Sequence, residues 1–438
     1  MNNSFKNLLI GIFLVGVRFN ASAATTPPNI IFILADDYGV GEVSAYGADN
    51  YKTPHIDQLA RGGIRFTHAY TPSLCGPSRA TILTGRYLFR TGATNQDATG
   101  QMSSAEIMIP KMLKAAGYVT TMIGKWGQLP LGPGDFGFDD YLQYQGSGVY
   151  WNTQVKGKNY KLNGQTIPLR DHEYLPDVMH AHLVDFITKN HDRPFYAYYS
   201  LSHVHTEILP TPDSAPGSQD LYGDNVTYMD KLIGKLVAEL ERQHLREKTL
   251  IVFFGDNGTA EHRSKRATIG GRRLDGAKGS MLEGGSLEPL IVNWPGVSPA
   301  GRVCDDLIDS TDFLPTFAAV AAAQLPAKTV LDGHNFLPQI RGEKGSPRDW
   351  VFLQLANRWY TRNHGWKLTQ AGELYDMSDA PFAEKLVPTT TTDTAALAAR
   401  QSLQAGLNQL NPAAGFVDKG DGSGRHANKA AKAKKKNP

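Results

Sequence analysis

An apolar run that does not alternate is the strongest constraint in this chain. The segment NIIFILADD (29–37) stays apolar and then stops on two carboxylates. A strand with one wet face alternates apolar and polar residues, so an unbroken run predicts a strand covered on both faces. YVTTMIGKW (118–126), PFYAYYSLSHVHTE (194–207), TLIVFFGDNG (249–258) and PLIVNWPG (289–296) have the same character. Helix signals fall between them. TPHIDQLARGG puts Thr53 at the N-cap, Pro54 at the first helical position and Gly62 past the end. DNVTYMDKLIGKLVAELERQ places Val226, Met229, Leu232, Ile233, Leu236, Val237 and Leu240 on one face behind an Asp224 cap. Strands alternating with helices predict an α/β fold, a large mostly parallel sheet sandwiched by helices. At 438 residues, 41% hydrophobic and 20% charged, the chain can build such a core, and disordered or multi-spanning membrane classes are excluded.

Ligands of such sheets bind beyond the carboxyl ends of the strands. Four of the runs finish there in chemically capable residues: Asp36 and Asp37, Lys125, His203 and His205, Asp256 and Asn257. Singly, each has an ordinary explanation, because Asp often opens a turn and a loop Lys or His is commonly solvated. Gathered on one sheet edge, they define a candidate site. Asp36, Asp37, Asp256 and Asn257 offer only oxygen, with three formal negative charges, which suits Ca²⁺ or Mg²⁺ and not zinc. Without a cation, crowded carboxylates repel and their pKa values rise.

SLCGPSRATILTGRY (73–87) holds one of only two cysteines. Pro77 favours a first helical turn and Gly85 a stop, so Cys75 stands at a helix N-terminus with Arg79 one turn later. Backbone N–H groups and the helix dipole attract anions there. Lys125 and Lys278, the latter in DGAKGSMLEGG, add positive charge. The set predicts a cation-assisted pocket for a small tetrahedral oxyanion. Two cysteines in an exported chain also admit a Cys75–Cys304 disulfide.

These segments resemble the sulfatase family, within the alkaline-phosphatase-like superfamily, over roughly residues 28–385. PNIIFILADDYG, TPHIDQLARGGIRFTHAYTPSLCGPSRATILTGRY, IGKW, FFGDNG, KGSMLEGG and ELYDMSD follow in family order. The C-x-P-S-R element is the specific one. It implies that a formylglycine-generating enzyme acts as maturation partner and converts Cys75 to formylglycine. The resemblance implies hydrolysis of an organic sulfate monoester, aryl or carbohydrate, to an alcohol and inorganic sulfate, with Ca²⁺ expected ahead of Mg²⁺. It implies Asp36, Asp37, Asp256, Asn257 and the modified Cys75 as metal ligands, and Arg79 steadying the formylglycine hydrate. Lys125 and Lys278 would bind sulfate oxygens, His205 would protonate the leaving alcohol, and Asp256 would help activate the attacking hydroxyl. The hydrate's second hydroxyl makes sulfate release intramolecular.

On this resemblance the disulfide is set aside and Cys304 becomes a lone buried thiol. Two departures stand out. Gly127 occupies the place of the histidine that follows Gly-Lys-Trp in the family and helps expel sulfate, with His203 a substitute by sequence proximity alone. Leu287 replaces the usual arginine after Glu-Gly-Gly-x, which alters a supporting contact rather than the chemistry. Two alternatives stay open: a phosphoester or phosphonate hydrolase of the same superfamily, and a non-catalytic binder of sulfated glycans.

Residues 1–23 read as an export signal, with Lys6, the run LLIGIFLVGV and Ala21-Ser22-Ala23 in order. The expected location is periplasmic or secreted, with no membrane span after cleavage. Residues 24–340 form the expected catalytic domain and 341–415 a smaller α+β unit, in which GWKLTQAGELYDMSD reads as a hairpin. No element is assigned past Pro388. From 418 onward seven Lys/Arg face two Asp, so 416–438 reads as a basic disordered tail without a nucleic-acid motif. Substrate choice is assigned to loops such as LQYQGSGVYWNTQ (142–154) and to the C-terminal unit; Tyr144, Tyr150 and Trp151 of that loop would stack on a substrate ring or simply pack.

Overall fold

The computed structural model describes residues 27–416 apart from Gln145, together with Asp418, Gly420 and Gly422. Residues 1–23, expected to be an export signal, and most of the expected basic tail lie outside the described residues. Strands β1 (Asn29–Ala35), β2 (Ile64–Tyr70), β3 (Val119–Lys125) and β4 (Asp140–Tyr144) belong to a ten-stranded sheet. So do β5 (Asn159–Leu162), β6 (Gln165–Pro168), β7 (Phe195–Leu201), β8 (Thr249–Gly255) and the strands Leu290–Asn293 and Arg302–Asp309. The order across the sheet is Arg302–Asp309, β2, Leu290–Asn293, β8, β1, β7, β3, β4, β5, β6. From β8 to β4 the pairing is parallel throughout. Leu290–Asn293 is the exception among the apolar runs, antiparallel to both β8 and β2. No crossover helix returns the chain to the far edge after β8, so the next strand re-enters from the edge where β8 left.

The unbroken apolar runs are explained by burial on both faces. Ile30, Phe32 and Leu34 of β1 share one core with Tyr196, Tyr198, Leu250, Val252 and Phe254. Ile31, Ile33 and Ala35 point the other way, with Ala197, Tyr199, Ile251 and Phe253. Helices Cys75–Thr84 and Phe313–Val320 cover the first face. Helices Pro54–Arg61, Leu175–Lys189 and Leu221–Arg242 cover the second. Leu221–Arg242 starts earlier than the sequence suggests: Asp220 is the cap, accepting from Gly223 N at 3.2 Å, and Asp224 lies in the first turn. Thr53 does precede Pro54–Arg61, yet its hydroxyl bonds Ser44 and Asp57 rather than a first-turn amide.

The C-terminal segment forms a separate antiparallel sheet of Val351–Leu355, Arg358–Arg362, Trp366–Thr369, Leu374–Asp376 and Lys385–Leu386. GWKLTQAGELYDMSD is indeed a hairpin within it. Past Pro388, where no element is assigned from the sequence, Thr394–Leu410 is a helix capped by Asp393, and its Ala396, Leu403 and Leu407 pack on Phe352, Leu368 and Leu374. Tyr87 and Phe89 enter the same cluster, so the small sheet shares a core with the segment that follows helix Cys75–Thr84. Among the described residues, no helix is long and apolar enough to cross a membrane.

Candidate active site

β8, β1, β7 and β3 are neighbours and parallel, so their carboxyl ends lie side by side. The ladder carries one residue past each strand: Asp36 N donates to Leu201 O and Asp256 N to Ala35 O. This fixes the backbone of two carboxylates on the sheet edge. Asp37 adopts φ 59, a conformation Asp tolerates better than most residues, and its N–H donates to Asp256 Oδ1 at 3.0 Å. The two neighbouring carboxylates thus reach the site from a single turn.

Cys75 opens helix Cys75–Thr84, whose residues are all buried. Its Sγ lies 3.3 Å from Asp36 Oδ1, 3.7 Å from Asp37 Oδ1 and 3.2 Å from Lys278 Nζ. Lys125 Nζ reaches both Asp36 oxygens, at 2.8 and 2.7 Å, and Lys278 Nζ also pairs with Asp37 Oδ1. Arg79, one turn along the helix, grips Asp256 Oδ2 through Nε at 3.2 Å and Nη2 at 2.7 Å. His205 Nε2 is 3.8 Å from Asp37 Oδ2. Its Nδ1 lies 2.7 Å from Thr206 O, and because a carbonyl only accepts, Nδ1 carries the hydrogen and Nε2 faces the carboxylate.

Asn257 Nδ2 donates to Asp37 Oδ1 at 2.8 Å and to Gly258 O, while its Oδ1 is buried without a hydrogen-bond partner. A buried amide oxygen left bare costs roughly 1–3 kcal/mol, and a hard cation beside it removes that cost. Three carboxylates and an amide oxygen are donors of the kind Ca²⁺ takes, and a half-turn of the Asn257 amide puts Oδ1 where Nδ2 now meets Asp37. The residues therefore fit the ion.

Asp36 and Asp256 respond to crowding in opposite directions. Burial works to raise Asp36, yet Lys125, followed by His205, Arg79 and Lys278, outweighs it and holds the carboxyl well below the usual range. Asp256 goes the other way: burial and the neighbouring Asp36 charge push it up to about 6, against Arg79 and Lys125. The uniform rise expected from the sequence is corrected by the lysine contacts. Burial, reinforced by Asp256, pushes the Cys75 thiol far up, against Lys125 and Lys278, so an unmodified thiol here stays protonated and is a poor nucleophile. Burial also lowers His205, opposed by Asp36 and Asp37.

The helix N-terminus contributes less than the sequence implied. Gly76 N donates to Gln96 Oε1 at 3.0 Å, Pro77 has no N–H, and Ser78 N donates to Leu74 O. Positive charge comes instead from Lys125, Lys278 and Arg79. Sequence inspection missed Gln96, and also Ser200, whose Oγ accepts from Arg79 Nη1 at 2.5 Å. Ser200 sits inside an apolar run one residue from a productive strand end, which is the signal that could have found it.

His203 does not replace the absent histidine. It is fully buried among Tyr150, Tyr174 and Tyr228, neither ring nitrogen has a partner, and burial lowers it to about 3. Gly127 has φ 82, and a Cβ there would meet Arg79 Cδ at 3.1 Å, so the backbone itself is shaped for glycine. Leu287 packs with Val40, Tyr70 and Leu353. A guanidinium nevertheless reaches Glu283 close by: Arg362, from the C-terminal sheet, pairs with it at 2.5 Å and lies over the Tyr70 ring. Tyr150 and Trp151 are packing residues, stacked on and tilted against Tyr174, and Tyr150 Oη donates to Ser202 O. Tyr144 is buried, and with Trp126, Gly127 and Tyr160 it lines a cleft of about 280 Å³. Cys75 and Cys304 are both free and buried, and no disulfide joins them.

Cations converging on a carboxylate floor at the strand ends of an α/β sheet define a hydrolase site for esters of a tetrahedral oxyanion. Residues 28–323 match the Sulfatase family. Arylsulfatase A of Homo sapiens is 36% identical over 364 residues, covering 76% of this chain and 71% of the relative. N-acetylgalactosamine-6-sulfatase of Canis lupus familiaris is 31% identical over 408 residues, covering 83% and 76%. The solved structure of Ps i-CgsB in complex with k-i-k-neocarrahexaose aligns with TM-score 0.76 at 27% identity, covering 88% of this chain and 93% of that one. The chain belongs to the sulfatase family and is a sulfuric ester hydrolase.

Proposed function

We propose that the chain hydrolyses an aryl or carbohydrate sulfate monoester at a formylglycine made from Cys75, with Ca²⁺ held by Asp36, Asp37, Asp256 and Asn257. The observation that carries this is the convergence of Cys75 Sγ, Lys278 Nζ and the Asp36 and Asp37 carboxylates within 3.2–3.7 Å of that sulfur. Bound there, a divalent ion would neutralise the carboxylates and lower the pKa of a hydroxyl, and a formylglycine hydrate at residue 75 would supply that hydroxyl and a second one for release.

The chain's own residues divide the remaining work. Lys125 and Lys278 are long, fixed at their far ends by Asp36 and Asp37, and placed to take sulfuryl oxygens as charge builds on them. Arg79, locked by Asp256, Ser200 and the Lys125 carbonyl, holds the residue-75 side of the pocket rigid. His205 keeps Nδ1–H on the Thr206 carbonyl and presents Nε2, so protonation at Nε2 gives the acid that the departing alcohol needs. The carbohydrate option draws support from the relative named for N-acetylgalactosamine-6-sulfate and the neighbour solved with a neocarrahexaose.

The test is turnover of 4-nitrophenyl sulfate and 4-nitrophenyl phosphate, with sulfated mono- and oligosaccharides alongside, on protein whose residue 75 has been weighed by peptide mass. Turnover of sulfate esters that scales with aldehyde content supports the proposal. Full turnover by protein carrying only the thiol, or phosphate cleaved faster than sulfate, overturns it.

A further inference from the structure

Away from the catalytic pocket, three metal-binding side chains from distant parts of the sequence meet on the surface. His68 lies on β2, Asp305 on the neighbouring strand Arg302–Asp309, and His364 in the turn between Arg358–Arg362 and Trp366–Thr369. One ligand atom from each falls within 4.8 Å of the other two. We propose that His68, Asp305 and His364 bind one divalent transition-metal ion of the zinc type, and that this ion fastens the C-terminal sheet to the main sheet.

Geometry supports a site. His68 Nδ1 and Asp305 Oδ1 are 3.0 Å apart, and the two imidazole rings stand 4.8 Å apart at 71°. Ligands about 2.1 Å from a tetrahedral ion are separated by about 3.4 Å, so small side-chain rotations suffice to close around one. The strand is built to present Asp305: pairing with β2 slips between Cys304 and Leu307, and such a bulge re-aims side chains. Thr67 Oγ1 then donates to Asp305 Oδ1 at 2.5 Å, and a His364 ring nitrogen bonds the Asp305 carbonyl at 2.7 Å. Hydrogen bonds that orient ligating groups in this way are the usual support of a metal site.

The donor chemistry selects the ion. Two imidazoles and a carboxylate suit zinc and its neighbours, whereas Ca²⁺ takes oxygen alone, so the two sites of this chain would not compete for one metal. Three protein ligands leave a fourth position for water. The Asp305 side chain is 75% exposed, which gives the ion an entry path. Arg362 is the nearby positive charge, and Glu283 neutralises it.

The test titrates the calcium-loaded full chain with Zn²⁺ and with Co²⁺ and compares it with His364→Ala. Wild type should bind one more Zn²⁺ per chain, show a visible Co²⁺ band of tetrahedral type that the variant lacks, and gain a higher unfolding midpoint on adding Zn²⁺. His68→Gln removes a ligand outright and should weaken Zn²⁺ by at least the roughly 10–100-fold that losing an outer-shell partner costs, and it provides a second reading if the turn tolerates alanine poorly. Aryl sulfate turnover at saturating Ca²⁺ should match in all three proteins, which keeps this outcome separate from that of the catalytic proposal. Equal zinc stoichiometry in wild type and variants overturns the site; binding without a shift in midpoint overturns the clamp.

Discussion

Two regions of this molecule bury charge at high density, and they do so to opposite ends. At the strand ends, Asp36, Asp37, Asp256, Lys125, Lys278 and Arg79 converge on Cys75 and leave Asn257 Oδ1 unpartnered. At the joint with the C-terminal sheet, each of two buried cations faces a carboxylate of its own. Arg362 has Glu283, the Asn363 and His364 carbonyls and the Tyr70 ring; Lys367 has Glu384, the Met281 carbonyl and the rings of Tyr360 and Tyr375. Burying an ion costs several kcal/mol, which good partners return. One-to-one pairs of opposite charge therefore mark a joint, and several charges of both signs converging on one atom mark a candidate reaction site.

Four substitutions test that contrast, in descending order of effect. Cys75→Ala should lower kcat by about 10⁴-fold or more while the unfolding midpoint stays close to wild type. Retained turnover would remove residue 75 from the chemistry. Arg362→Leu should act in reverse, costing about 3–5 kcal/mol of stability by leaving Glu283 buried and unpaired, with kcat per folded molecule little changed. Denaturant titration checks it, and a large kcat loss in material that remains folded would place the joint inside the reaction machinery.

Lys278→Ala should cost about 10²–10³ in kcat/KM, as expected for one cation that serves developing charge. A loss confined to KM would make it a ground-state contact only. The smallest effect belongs to His203→Phe. With its folded pKa near 3 against an ordinary 6.5, His203 is neutral in the fold but takes a proton in the unfolded chain below pH 6.5. Its contribution is intact above pH 6.5 and is lost as pH falls toward 3, by up to about 1.4 kcal/mol per pH unit. The variant should show a flatter acid limb, read as unfolding midpoints at pH 7 and pH 5. Parallel curves for the two proteins would rule this out.

Much of the pocket was legible because strand direction does the assembling. Once the runs ending at Ala35, Lys125, Leu201 and Gly255 are parallel neighbours, the residues that follow them must meet. What stayed hidden depends on packing across the chain. The partners of Arg79 at Ser200 and of Gly76 at Gln96 follow no periodicity. Nor does a guanidinium arriving on Glu283 from Arg362, or a left-handed backbone at Gly127 that would press any side chain toward Arg79. His203 and His205 look equivalent in HVH, yet one is sealed among tyrosines and the other faces Asp37, because the turn that begins at Ser202 sends them to different sides.

Cys75 is only 1% exposed, in a helix with no exposed residue. No second protein can grip that sulfur in the finished molecule, so whatever chemistry residue 75 is to receive must arrive while the polypeptide is still open. Were residue 75 converted as proposed, each molecule would keep the functional group it had when the helix docked. A preparation of mixed activity would then be two lasting populations, and later incubation of the folded protein with a converting enzyme would leave their ratio unchanged.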